Sequence, residues 1–111
     1  SMATSRLRTV GQLLSSTGVT TVYTCPPNFE AEVITFHINN LNAGAVDLTV
    51  KTVISSSDIP IVGTKSIASD ASVDLLNSRP IALKAADTIV ATAGTANALN
   101  VVITVSETFT R

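Results

Sequence analysis

The sequence predicts an all-β protein, an antiparallel β-sandwich with a jelly-roll-like arrangement of eight or nine short strands. Three observations carry this reading. With 16 Thr, 13 Val and 9 Ile, about a third of the 111 residues are β-branched, and such side chains fit a pleated backbone better than a helix. Short apolar runs alternate with period two, and no stretch keeps a helical period of 3.6. Turn chemistry ("SSTG", "CPPN", "NNLNAG", "SSSD", "NSRP", "KAAD", "AGTAN") separates nearly all of them, at spacings of roughly ten residues.

Taken in order, "RTVGQLL" (8–14) is the ambiguous element. Leu7, Val10, Leu13 and Leu14 could form a helical face, but Gly11 and the following "SSTG" favour a strand and turn. "VTTVYT" (19–24) reads as a strand. "EAEVITFHIN" (30–39) alternates so as to place Ile34, Phe36 and Ile38 on one face, and "AVDLTVKTVI" (45–54) turns Val46, Leu48 and Val50 inward. "IPIVGTKSI" (59–67), "SVDLL" (72–76) and "RPIAL" (79–83) are short or carry Pro or Gly, as edge strands do. "DTIVATA" (87–93) and "LNVVITVSETF" (99–109) complete the set. Residues 1–9 are expected to form an N-terminal arm, with Ser1 ahead of Met2 a scar of tag removal, and residues 10–111 a single domain.

Composition excludes several classes of function. Seven basic and eight acidic side chains leave a net charge of −1, without the basic run that neutralises phosphates, so nucleic-acid binding is not expected. Four aromatic residues (Tyr23, Phe29, Phe36 and Phe109) offer little for stacking on bases or sugars. No segment approaches the ~18 unbroken apolar residues of a membrane helix, and no membrane partner is expected. No secretory leader is read at the N-terminus, which places synthesis inside the cell. Charged residues are only 14% of the chain, less than a solitary small domain normally displays. Either the surface is covered by Thr, Ser, Asn and Ala, or part of it is buried in an assembly.

The candidates for chemistry are few. Cys25 and His37 are the single cysteine and histidine. A hairpin turning at 25–29 would set His37 about eight residues, or over ~25 Å, up the strand, too far for a nucleophile–base pair or a shared metal. Glu30 and Glu32 share a strand face beside a turn and are most simply solvated. "SDASVD" is too sparse for calcium, and "VGTK" lacks the glycines and helix of a phosphate loop. No enzyme activity, cofactor or metal is expected. Apolar residues on nominally outer strand faces, Val33, Val53 and Val102, mark instead a candidate oligomer interface.

The order of these signals resembles the small virion accessory proteins of tailed bacteriophages. In that family an "LGQ"-like start leads to a "TxLYTVPAG"-like turn and an apolar strand ending in Asn. A "VTVxV" strand, an "LLxxPLxLxAGDxI" hairpin and a closing "LxVxVSxxE" strand follow. Here the counterparts are Val10-Gly11-Gln12-Leu13, "TTVYTCPPN", "VITFHINN", "VDLTVKTV", "LLNSRPIALKAADTI" and "LNVVITVSETF", covering nearly all of residues 10–109. Two family glycines are replaced, by Asn28, which tolerates the left-handed region, and by Ala86, which tolerates it less. The resemblance implies a non-enzymatic structural protein that decorates a capsid or forms part of a tail or fibre. It also implies a homo-oligomer, a trimer, with other virion proteins such as the major capsid protein as partners. Its place would be the virion, after synthesis in the host cytoplasm. The segment around Arg6, Leu7 and Arg8 is the expected attachment point. A carbohydrate- or receptor-binding jelly-roll module is the alternative, which a glycan array would distinguish.

Overall fold

The computed structural model describes residues 4–77 and 79–110; residues 1–3, Ser78 and Arg111 lie outside them. Nine strands follow in order: β1 (Ser5–Leu13), β2 (Thr20–Thr24), β3 (Phe29–Asn40), β4 (Val46–Ile54), β5 (Ser57–Ile67), β6 (Ser72–Asp74), β7 (Ile81–Leu83), β8 (Thr88–Ala93) and β9 (Leu99–Phe109). They form two antiparallel sheets. One has the order β1-β9-β3-β6, with β7 also on β3, and the other β2-β8-β4-β5. Because β6 and β7 lie along the same side of β3, they act as one interrupted edge strand. With β6 and β7 counted as one, successive strands alternate between sheets except at the β4–β5 hairpin, the wrapped-hairpin pattern of a jelly roll.

The core follows from period two. Val46, Leu48 and Val50 of β4 are buried as their alternation requires, as are Leu99, Val101, Ile103 and Val105 of β9 and Ile89, Ala91 and Ala93 of β8. Small residues on β8 opposite larger ones on β4 and β9 let the sheets close on one another. Phe36 is the largest fully buried side chain there.

Strand β3 departs from strict alternation. Its pairing with β9 passes from Val33↔Val105 to Thr35↔Thr104, so Ile34 is an extra residue with no partner. Such a bulge shifts the phase of every side chain beyond it. Val33 is consequently buried in the core with Phe36 and Ile38, while Ile34 is 40% exposed. The sequence reading, which put Ile34 inside and Val33 outside, is corrected by this one inserted residue.

The N-terminal segment also differs from expectation. Residues 5–9, read as an arm with little strand definition, belong to β1, which pairs residue for residue with β9 from Ser5↔Thr108 to Leu13↔Asn100. Nor do β2 and β3 form a hairpin; they lie in different sheets. The "CPPN" loop between them crosses the edge of the sandwich, held by Cys25 N–H to Asp87 O (2.9 Å) and Ala86 N–H to Cys25 O (3.0 Å).

Both replaced glycines occupy left-handed backbone, Asn28 at φ 67° and Ala86 at φ 73°. Ala86 is the third residue of a tight turn closed by Asp87 N–H to Lys84 O at 3.0 Å, the position of a type II turn that favours glycine. The turn thus forms with alanine at a steric cost. Ala86→Gly is expected to raise stability by about 0.5–1 kcal/mol, the relief of that cost less glycine's extra chain entropy. Thermal unfolding should show a midpoint a few degrees higher; a lower midpoint contradicts the strain.

Candidate assembly surfaces and the buried Glu107 cluster

Where β1 and β2 meet β9, the fold buries a charge. Period two turns Glu107 inward with Val105, and its side chain is 0% exposed. Three groups converge on it. Arg6 Nε donates to Oε1 at 2.7 Å, Arg8 Nη1 to Oε2 at 3.0 Å, and the Tyr23 hydroxyl to Oε2 at 2.5 Å. Arg6 and Arg8, two apart on β1, share its inward face, and Arg6 also lies 4.5 Å over the Phe29 ring, which meets Phe109 edge to face. Burial alone pushes the Glu107 carboxyl upward. The hydrogen bonds from Tyr23 and Arg6, with the charges of Arg8 and Arg6, outweigh it and hold the group below its ordinary value. Burial, then the carboxylate hydrogen bond, pushes the Tyr23 phenol well above its own. The cluster ties β1 to both sheets. No step in the sequence reading had singled out Glu107 or Tyr23, although extending the β9 alternation four residues beyond Ile103 places a carboxylate inside.

A second polar hub sits at the opposite end. Asn40, 2% exposed, donates through Nδ2 to the carbonyls of Ile67 (2.9 Å), Gly44 (3.1 Å) and Ala68 (3.1 Å). Its Oδ1 accepts from Asn42 N–H at 2.8 Å. One side chain thereby fixes the loop 41–45 and the end of β5.

The residues expected to act together are dispersed. Val33 is in the core. Val53 and Val102 are half-buried on outward positions, but of different sheets, so they lie on opposite faces of the sandwich. Arg6 and Arg8 are engaged by Glu107, while Leu7 between them points outward at 70% exposure. Loops 41–45 and 94–98 meet at one end, through Leu41 N–H to Ala98 O (2.8 Å) and Gly94 N–H to Asp47 O (2.8 Å). The Ser55–Ser56 turn is at the other end, because β4 runs the length of the sheet between them; there Ser55 N–H reaches Asp87 Oδ1 at 3.3 Å.

Cys25 and His37 remain apart. Cys25 is fully buried with its Sγ 3.4 Å from Phe29 O, at the start of β3. His37 is exposed eight residues further along, opposite Asp74 of β6 and Val102 of β9. Burial, reinforced by the negative charges of Glu107, Asp87 and Glu30, pushes the Cys25 thiol up. Little thiolate forms near neutral pH, and it is inaccessible. Thiol reagents at pH 8 are expected to leave the folded protein unlabelled and to modify one thiol per chain in denaturant; rapid labelling of the native state contradicts the buried assignment. Glu30 and Glu32 are both exposed, on the rim of an open groove of about 330 Å³ that Ala82, Lys84, Ser106 and Thr108 also line. Among the described residues no aromatic ring lines it.

Each outer face carries an apolar, Thr-rich strip beside its charged residues, which include Asp47, Lys51 and Asp58 on one sheet and Glu30, Glu32 and Asp74 on the other. Thr49, Val53, Val90 and Thr92 cover the middle of one sheet, with Val19 beside them at 71% exposure and a single loose ion pair, Lys51–Asp58 at 3.8 Å. On the other, Leu7, Thr9, Val102 and Thr104 stand outward. Among the described residues no helix is long and apolar enough to cross a membrane.

No protein-family model matches the chain, and no curated protein matches it significantly. The fold does have counterparts among solved structures. A chain of the Bacillus endospore appendages, a family of disulfide-linked pili, matches with TM-score 0.55 at 14% identity, over 97% of this chain and 88% of that one. A chain of the acid-stable capsid of Helicobacter pylori bacteriophage KHP30 matches with TM-score 0.50 at 14% identity, over 99% and 95%. A chain of the T13 particle of infectious bursal disease virus matches at TM-score 0.50 and 7% identity, over 96% of this chain and only 31% of that one. At these identities the likeness is one of fold.

Proposed function

We propose that the chain is a non-enzymatic structural protein of a bacteriophage particle, decorating the capsid or forming part of a tail or fibre. It works as a homo-oligomer, a trimer by the phage resemblance. The observation that carries this reading is the pair of Thr- and Val-rich strips on the jelly roll's outer faces, with Leu7, Val19, Leu41 and Ile59 exposed. Such a surface favours association through apolar contact at about 25 cal/mol per Å² buried. The fold neighbours in a pilus and a phage capsid support it.

Attachment to the particle is assigned to the end formed by loops 41–45 and 94–98, where Leu41 is 61% exposed, rather than to Arg6 and Arg8, whose guanidiniums Glu107 holds. With charge nearly balanced, attachment should change little with salt. Several copies in one oligomer would make a weak single contact sufficient. The test is mass analysis of particles purified from the phage that encodes the chain, repeated with Leu41→Glu. The chain should be present and the variant depleted. Absence from the particles contradicts the virion reading, and full occupancy by Leu41→Glu contradicts the loop end.

A further inference from the structure

The two sheets end in edges that are unequally protected. β2 has five residues and a register shift, and β6 and β7 have three residues each. β5 is long but carries Pro60 and two register shifts against β4. Short length, bulges and proline are the devices that stop an edge from pairing with another chain. β1 has no such interruption, and its two charged residues, Arg6 and Arg8, are turned inward and held by Glu107. It runs nine residues, Ser5–Leu13, without proline or lysine, and in unbroken register with β9.

The hydrogen-bond parity of β1 follows from the ends of its ladder. Leu14 N–H donates to Leu99 O (2.9 Å), and Thr4 O accepts from Phe109 N–H (3.0 Å). Antiparallel alternation therefore turns the N–H and C=O of Arg6, Arg8, Val10 and Gln12 toward β9, and those of Ser5, Leu7, Thr9, Gly11 and Leu13 toward the free edge. Five residues present backbone N–H and C=O in one line, with only the Leu13 carbonyl already met, by Gln12 Nε2 at 3.1 Å.

We infer that this edge docks a second copy of the chain, β1 pairing antiparallel with β1 of the copy about a two-fold axis through Thr9. The inference deepens the homo-oligomer reading by naming a contact. The strand is self-complementary in this register. All nine residues pair, and each free-edge residue meets another. Arg8 faces Val10 of the copy and Arg6 faces Gln12, whereas a slip toward the N-terminus would set Arg8 against Arg8. A slip the other way leaves Ser5 and Arg6 without partners. Leu7, 70% exposed, faces Gly11 of the copy, where a Cβ would meet nothing within 4 Å, so the leucine has room to lie across the glycine. The two sheets would then join into one continuous sheet. Because the contact is two-fold, copies come in even numbers: two by this contact alone, six where a three-fold contact also operates.

Thr9→Cys and Ser5→Cys test the register. Directly paired hydrogen-bonded residues have Cα atoms about 5.5 Å apart, within disulfide range. Mild oxidation should give a covalent dimer for Thr9→Cys but not for Ser5→Cys, whose counterpart is Leu13. Thr9→Pro should raise the dissociation constant about tenfold or more, since its lost N–H lies on the free edge and not on the β9 ladder. Leu7→Lys, at an exposed side chain, serves the same purpose should proline disturb the strand. No Thr9→Cys cross-link, or equal cross-linking of both cysteine variants, overturns the inference. An oligomer by light scattering without the cross-link overturns this edge alone, and a monomer overturns the homo-oligomer reading with it.

Discussion

Glu107→Ala is expected to cost about 3 kcal/mol, because the substitution removes the acceptor of three charged or buried donors at once. The Tyr23 hydroxyl, in a residue only 4% exposed, would lose its partner inside the core. Arg6 and Arg8 are about half exposed and can turn to water, which is why the figure lies at the low end for a broken buried pair. For a domain of this size the unfolding midpoint should fall by roughly 10 °C or more. Tyr23→Phe, which removes one donor, should cost about 1.5 kcal/mol. The cluster also sets an acid limit. Glu107 titrates below its ordinary value in the fold, so its contribution is fully present above that value, about 4.3, and is lost as the pH falls through the folded value. Wild type and Glu107→Gln should therefore differ most in stability above pH 5 and converge in acid. Glu107→Ala with unchanged unfolding, or a gap that widens in acid, contradicts this account of β1.

Asn40→Ala should be comparably damaging. It leaves the carbonyls of Gly44 and Ile67 and the N–H of Asn42 without the Asn40 side chain, while the Ala68 carbonyl keeps Ala71 N–H at 3.1 Å. Those that water cannot reach bear the full cost of an unmet buried group, so a loss of about 3 kcal/mol is expected in denaturant unfolding. Asn40→Asp keeps the shape but aims an acceptor at three carbonyls, and should be no better. Hydrogen exchange should rise first in residues 41–45 and 67–71. Uniform exchange, or a loss below ~1 kcal/mol, contradicts the hub.

What the sequence made legible was the local part of the fold. The alternation in 45–54 and 99–109 is written in adjacent residues, and the structure buries the side chains that it points inward. The bulge at Ile34 was not legible, because Val33 and Ile34 are both apolar, the unbroken alternation Ile34, Phe36, Ile38 reads as one face, and only the pairing with β9 puts Val33 inside in place of Ile34. Strand β1 has little apolar contrast. Its stability comes from a ladder to residues about a hundred positions away, and from Arg6 and Arg8 reaching Glu107 across 101 and 99 residues. Glu107 could have been found, since a carboxylate in phase with Val101, Ile103 and Val105 needs cationic partners. Which cations those are depends on the jelly-roll wrap that sets β1 beside β9. The surface was legible in kind but not in placement. Low charge pointed to a covered or Thr-rich exterior, while Val33, Val53 and Val102 proved to belong to the core and to opposite faces.

The reading of the chain as a self-assembling structural subunit is tested most directly by its mass in solution. Light scattering on the purified protein at micromolar concentration should give a multiple of the single-chain mass, changing little between low and high salt because the contacts are apolar and backbone-mediated. A single-chain mass throughout that range would contradict it.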